Sequence, residues 1–161
     1  MNPCPCGYIG DPHHQCTCTP SQIHRYRHRV SGPLLDRIDI HVEVPAVPYK
    51  ELSKDFCGDP SKNIRESIQK ARKIQVERFK KDNIYSNAKM RSKHIKKYCS
   101  LKQDAQNILE TAMHKLGLSA RAYTRILKVS RTIADLSESE HINAEHISEA
   151  IQYRTLDRGM F

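Results

Sequence analysis

Tryptophan is absent from this sequence, and only 6% of its residues are aromatic. With 38% hydrophobic residues among 161, the chain can fill one modest core or a few packed helices. No apolar run approaches the roughly 18–20 residues of a membrane-spanning helix, so no integral membrane protein of that kind is expected. The opening residues, MNPCPCGYIGDP, lack the charged-then-apolar pattern of a secretory signal. A G-x-x-x-x-G-K-[ST] phosphate loop is missing too, which excludes unaided nucleotide binding by that route. Neither H-E-x-x-H nor G-x-S-x-G occurs. Asp36 and Asp39 are close in sequence, but two carboxylates astride a strand entry are poor grounds for acid–base catalysis. Read from its residues, the chain is a weak candidate for a free-standing enzyme.

Cysteine is plentiful and unevenly placed. Four of the six cysteines fall within residues 4–18, as Cys4-Pro-Cys6 and Cys16-Thr-Cys18. In a sequence without an export signal, such clustering reads as metal binding in a reducing cytosol, not as a disulfide scaffold. Four thiolates satisfy tetrahedral zinc in a closed structural site, and Gly7 and Gly10 let the loop fold the two pairs together. The spacing is C-x-C where zinc ribbons commonly use C-x-x-C, and His13 or His14 is an alternative to one ligand. The plainer reading is two thiol pairs in a loose loop. Cys57 and Cys99 are read as bystanders.

Charge is lopsided as well. The net charge of +9 comes from 27 Lys+Arg against 18 Asp+Glu. Residues 1–60 carry 6 basic and 7 acidic side chains, residues 61–100 carry 13 and 3, and residues 101–161 carry 8 and 8. The whole excess therefore marks one local surface.

Pattern divides the chain into residues 1–50, a linker at 51–60, and a helical part at 61–161. Residues 1–33 read as an irregular loop followed by a short basic segment. Residues 38–44 alternate apolar and polar and predict a strand. Without partners that strand leaves its edges unsatisfied, so residues 1–50 are expected to be poorly ordered or unnaturally paired. From Ser61 the periodicity is helical. Ile64, Ile68, Ala71 and Phe79 share a face of a helix ending near Asp82–Asn83, and a short basic helix follows at about Lys93 to Tyr98. Leu101, Ala105, Ile108, Leu109, Ala112, Met113 and Leu116 mark the next helix, with Ser100 and Gln103 as its capping box and Gly117 as its stop. Ser119 caps a helix to about Leu136, and Asn143 caps a last one to about Arg154. Four main helices with short connections predict a small all-α bundle or orthogonal array.

Two basic surfaces stand out. Arg121, Arg125 and Lys128 share one face of the helix after Ser119, with Arg131 beside them. Lys62, Arg65, Arg72, Lys73 and Lys80 lie near one face of the helix after Ser61. Lys89, Arg91, Lys93, Lys96 and Lys97 follow it, with Tyr85 and Tyr98 interleaved. A solvated face looks the same as a phosphate-binding one at this level, and a subunit-facing surface is a further alternative.

Taken in order, several motifs resemble those of a known family. Met-Asn2-Pro3-Cys-Pro-Cys-Gly7 is followed by Ser31-Gly-Pro-Leu-Leu-Asp36-Arg37-Ile-Asp39-Ile-His. Then come Ala71-Arg72-x-x-Gln75-x-x-Arg78 and Leu118-Ser-Ala-Arg121-Ala-Tyr-x-Arg125-Ile-Leu-Lys-Val-Ser-Arg131-Thr-Ile-Ala-Asp135-Leu. His146-Ile-x-Glu-Ala-Ile-Gln-Tyr-Arg154-x-Leu-Asp-Arg158 closes the series. Over nearly its whole length the sequence resembles the C-terminal third of magnesium-chelatase-like AAA+ ATPases of the ComM/YifB group. The resemblance implies a mainly α fold: an AAA+ helical lid of four main helices, preceded by a short piece of the α/β core with one strand and the Cys-rich loop. It places the phosphate loop and Walker B acid upstream of Met1.

The resemblance also implies roles. Asn2 matches sensor 1, which helps orient the water attacking the γ-phosphate. Arg37 matches the arginine finger reaching a neighbouring subunit's ATP, and Arg121 matches sensor 2, with Arg125 beside it on the nucleotide side. A guanidinium suits such work because it stays charged and forks onto phosphate oxygens. ATP and Mg in the parent protein, further copies of itself in a hexameric ring, DNA as the partner, a branch-migration helicase activity and a cytoplasmic location are what the family implies. A magnesium-chelatase ATPase subunit is the neighbouring alternative, and the Cys-Pro-Cys…Cys-Thr-Cys insertion favours the ComM-like group over it. A zinc-stabilised nucleic-acid-binding module without an ATPase link is the alternative from another class.

Overall fold

In a computed structural model, the described residues are 1–44, Val47 and 58–154. They fall into two compact units, one drawn from residues 1–44 and Val47, the other from residues 58–154. Most of the expected 51–60 linker, the expected bystander Cys57 and the last seven residues of the chain lie outside the described residues.

The first unit holds the Cys-rich loop and two helices, α1 (Pro20–Arg27) and α2 (Gly32–Leu35). Helix α1 starts where it does because Thr19 and Gln22 cap each other. The Thr19 hydroxyl accepts from the Gln22 N–H at 3.3 Å, and the Gln22 side chain accepts from the Thr19 N–H at 2.9 Å. Pro20 at the first helical position costs no hydrogen bond, because that N–H has no partner in a helix anyway. Arg27 Nε then donates to Pro3 O at 3.2 Å and ties α1 to the cysteine loop.

The strand expected at 38–44 does not form among the described residues. Ile38, Ile40, Val42 and Val44 are 39%, 47%, 64% and 81% exposed, while His41 between them is buried. The alternation was real, but its apolar side faces outward. A strand exists only when a ladder partner satisfies its N–H and C=O groups, and no described segment supplies one.

The second unit is all helical: α3 (Ser61–Arg78), a 3₁₀ turn η1 (Asn87–Lys89), α4 (Ser92–Tyr98), α5 (Gln103–Leu116), α6 (Ala120–Leu136) and α7 (Ala144–Gln152). Helix α6 is the hub, packing against α3, α4, η1 and α7, while α5 packs on α7. Its buried positions Ile126, Leu127 and Ala134 follow the helical repeat and meet Phe79, Ile95, Leu109, Ile142, Ile147 and Ala150 in one core. Gly117 adopts φ 58, the left-handed conformation that a helix stop needs and that an L side chain resists.

Four local expectations are corrected. Helix α3 ends at Arg78, before Asp82–Asn83, and its first ten residues are exposed, including Ile64 and Ile68 at 49% each. Only Ala71 and Gln75 of α3, with Phe79 just beyond it, reach the core. Ser100 and Gln103 form no capping box: α5 starts at Gln103 after Lys102, and Leu101 instead makes a parallel bridge with Ile142. Asn143 is the N-cap of α7 as expected, in a capping box where His146 Nδ1 accepts from the Asn143 N–H at 3.0 Å. His94 does the same for α4, accepting from the Arg91 N–H at 3.0 Å. Histidine three residues into a helix was not recognised as a capping residue, although an imidazole acceptor there can do what Glu or Gln does.

The fourth correction concerns Arg131. It does not continue the basic face of α6: it is 3% exposed and donates through Nε to Asp135 Oδ1 at 3.1 Å. Its Nη1 and Nη2 donate to Glu140 O at 2.8 Å and Ser139 O at 2.6 Å. Arg78, from α3, completes a fork onto the same carboxylate, with Nη1 on Oδ2 at 2.7 Å and Nη2 on Oδ1. Asn87 Nδ2 adds a bond to Oδ2 at 2.8 Å. Asp135 is thus wholly buried yet satisfied, and its network pins α3 and η1 onto α6.

Candidate metal centre and candidate ATP-site residues

The four clustered cysteines converge. The Sγ atoms of Cys4, Cys6, Cys16 and Cys18 all lie within 4.8 Å of one another. Cys4 and Cys6 are 3.4 Å apart at sulfur, Cys4 and Cys16 3.7 Å, and Cys6 and Cys16 3.6 Å. A disulfide would bring two sulfurs to about 2.05 Å. Thiolates about 2.3 Å from a tetrahedral zinc stand about 3.8 Å apart, close to what is seen.

The loop makes this arrangement by folding on its glycines. Gly7 (φ 86) and Gly10 (φ 81) occupy conformations that L side chains rarely adopt. The Gly7 N–H donates to Cys4 O at 3.1 Å, and Asp11 N–H to Tyr8 O at 3.1 Å. Asp11 Oδ1 then accepts from the His13 and His14 N–H groups at 2.7 and 3.0 Å. His14 stacks on Tyr8 at 4.9 Å between ring centres, and both histidines are exposed. The group that could hold a metal consists of the four cysteines, without His13 or His14.

The thiols respond unequally to this crowding. Backbone N–H groups of Tyr8 and Thr17 stabilise the Cys6 thiolate and lower its pKa to about 6. Cys18 also accepts from a backbone N–H, that of Cys6 at 3.4 Å, yet burial and the neighbouring Cys6 and Cys16 push it up to about 12. Cys16 is raised in the same way, against the pull of the Cys18 N–H. Several thiolates at these distances repel, and the second and third protons leave with difficulty unless a cation is present. Such a donor set suits a soft, thiolate-seeking divalent ion. Cys99 is different: it is buried in the second unit, and burial pushes its thiol up to about 11.

The residues expected at an ATP site are placed as follows. Asn2 is exposed at the start of the cysteine loop, its Nδ2 3.7 Å from the position of a Cβ added at Gly7. Arg37 is exposed two residues beyond α2, where Leu35 is buried and the Arg37 and Ile38 N–H groups donate back to Leu34 O and Leu35 O at 3.0 and 2.9 Å. These two belong to the first unit. Arg121 and Arg125 belong to the second, Arg121 exposed and Arg125 half-buried on the first two turns of α6. The helix begins as expected, with Ser119 Oγ accepting from the Ala122 N–H at 3.1 Å. Lys128, one turn on, donates to Ala88 O at 3.0 Å; burial first, then the charge of Arg125, lowers its pKa. Of the basic face read along α6, Arg121, Arg125 and Lys128 remain, and Arg131 leaves it for the core.

The first unit gathers four cysteines in one loop, and the second packs its helices on the long, arginine-bearing α6. Residues 58–154 match the family model "Magnesium chelatase, subunit ChlI C-terminal", and residues 1–52 match "Magnesium chelatase, subunit ChlI". The chain belongs to the magnesium chelatase ChlI family. Within it, the chain is 46% identical over 159 residues to "Competence protein ComM" of Haemophilus influenzae. It is 41% identical to the YifB protein of Salmonella typhimurium and 42% identical to that of Escherichia coli. Each comparison covers 98% of this chain and 30% of the relative, so the chain spans about a third of those proteins. The ComM/YifB resemblance read from the motifs is borne out, as is the mainly helical fold.

Proposed function

We propose that this chain is the sensor and lid portion of an ATP-driven AAA+ ring, a hexameric DNA branch-migration helicase of the ComM type. Arg37 carries the reading. It is exposed directly after a turn anchored by buried Leu35, and its side chain has no ion pair or hydrogen bond among the described residues. A permanently charged fork held out from a rigid turn is what a residue completing a neighbouring subunit's site requires. Asn2 acts as sensor 1, Arg121 as sensor 2 and Arg125 as a second nucleotide-facing cation. ATP and Mg are bound by the ring, with the phosphate loop supplied upstream, and the fragment alone does not turn over ATP. Similarity to ComM and the four-cysteine insertion favour DNA remodelling over porphyrin metallation.

The four cysteines hold one structural zinc in this reading. Zinc supplies two positive charges to a cluster whose thiols otherwise compete for protons, and it cross-links the loop's two ends. No helix among the described residues is long and apolar enough to cross a membrane, which is compatible with a cytoplasmic machine. The test is Arg37→Ala in the ring assembled with its upstream part. ATP turnover is expected to be lost with ATP binding retained, and unchanged turnover removes the assignment.

A further inference from the structure

The basic stretch at 61–100 is resolved by the fold into two different surfaces. Along α3 and just beyond it most of the cations are exposed, and several are already engaged. Lys70 pairs with Glu138 at 2.8 Å, Lys80 with Glu77 at 3.6 Å, and Arg72 donates to Gln75 at 2.9 Å. Beyond α3 the picture changes. No Asp or Glu occurs between Asp82 and Asp104, while Lys89, Arg91, Lys93, Lys96 and Lys97 all fall there.

Helix α4 sorts these residues cleanly. His94 and Ile95 are buried and Tyr98 is half-buried, so Lys93, Lys96 and Lys97, at i, i+3 and i+4, share the opposite exposed face. Asp82, the one acid in the sequence from residue 78 to residue 103, is already engaged. It accepts from the Tyr98 hydroxyl and faces Lys97 at 3.6 Å and His94 at 3.9 Å. Lys89, Arg91, Lys93 and Lys96 are left exposed, with no acidic partner within 4.0 Å among the described residues.

The two tyrosines of the stretch are also told apart. Tyr98 is spent inside, bonded to Asp82 and packed edge-on against Phe79 at 5.3 Å. Tyr85 is 69% exposed in the turn just before η1. An exposed aromatic ring four residues before a run of exposed cations without acidic partners is a combination that can hold a nucleic acid strand: cations on phosphates, ring on a base. A duplex keeps its bases stacked inside and gives the ring nothing to hold.

We propose that Tyr85 and the ridge of Lys89, Arg91, Lys93 and Lys96 form a binding surface for single-stranded nucleic acid, on the helical unit itself. This rests on the nucleic-acid partner put forward above, but not on the ATPase roles of Arg37 or Arg121.

The probe is a labelled thymidine 20-mer, titrated by fluorescence anisotropy against the full chain at several salt concentrations. Lys93→Ala with Lys96→Ala is expected to weaken binding about ten-fold and to flatten the log–log salt slope by about 1.4, two contacts at about 0.7 each. Tyr85→Ala is expected to cost at least about five-fold, with Tyr85→Phe retaining affinity. Lys62→Ala with Arg65→Ala removes the same charge from exposed α3 positions and is expected to change little. Equal losses in both double variants would show a response to net charge alone and overturn the proposal. So would a preference for a mixed-sequence duplex, or binding abolished by ATP regardless of strand length. No binding at low salt overturns it too, while leaving ATP turnover by the assembled ring as a separate test of the ATPase reading.

Discussion

Asp135 offers the sharpest test of how the helical unit is held. Its carboxylate is 0% exposed and accepts from Arg78 twice, from Arg131 once and from Asn87 once. Asp135→Ala would strand two guanidinium groups. Arg131, 4% exposed at its side chain, keeps its bonds to Glu140 O and Ser139 O but loses its counter-charge. Arg78 is 14% exposed and regains some water, which tempers the loss. Breaking a buried pair from one side costs about 3–5 kcal/mol. At about 4–8 °C per kcal/mol for a domain of this size, the melting temperature should fall by roughly 12–40 °C. The assay is thermal unfolding followed by far-ultraviolet circular dichroism. A cycle with Arg78→Ala separates the pair from its surroundings: the double variant should be less destabilised than the sum of the singles by at least about 1 kcal/mol. A fall below about 5 °C for Asp135→Ala, with additive singles, would refute the idea that this carboxylate joins α3 to α6.

Two further outcomes are expected. Purified protein should contain one zinc per chain, lost on Cys4→Ser or Cys16→Ser, as measured by elemental analysis; a zinc-free yet ordered loop would count against the metal centre. Acid should act through Asp82, whose pKa is held below 3.8 chiefly by the Tyr98 hydroxyl and then by Lys97 and His94. A depressed carboxylate contributes stability that is present above pH 3.8 and lost as pH falls through its lower folded value, so Tyr98→Phe should narrow that acid window. Titration of Asp82 by NMR in both proteins checks this, and an unchanged midpoint would show that the hydroxyl is not responsible.

Much of the helical unit was legible because its signals are local. The apolar repeat of α5 to α7 lies within each segment, and Ser119 meets its acceptor role three residues away. Gly117 likewise announces the stop that its φ of 58 delivers. The cap of α1 is equally local: Thr19-Pro20-Ser21-Gln22 has the spacing of a capping box, set in a stretch whose Cys, Pro, Gly and His content otherwise points to irregular chain. At the candidate site, the cysteine spacing marked the four sulfurs that come together, and the motifs marked Asn2, Arg37, Arg121 and Arg125.

Other features depended on what each residue meets at a distance in sequence. Periodicity placed Arg131 on a basic face, but it turns inward onto Asp135 and the Ser139 and Glu140 carbonyls, and Arg78, 57 residues from Asp135, reaches the same carboxylate. Ile64 and Ile68 have the right phase for a core and no core opposite them. Residues 38–44 have the alternation of a strand and no ladder partner among the described residues. The basic stretch was countable as +10, yet which cations stay unpaired was settled by Asp82 turning toward Lys97 and Tyr98. Composition and spacing determined the helices and the four-cysteine cluster, because those follow from contacts within a few turns of chain, and the motifs carried the resemblance to the family. Burial, ion pairing and the unpaired ridge were decided by the tertiary structure, because charge and apolar surface acquire their energetic meaning from what is packed against them.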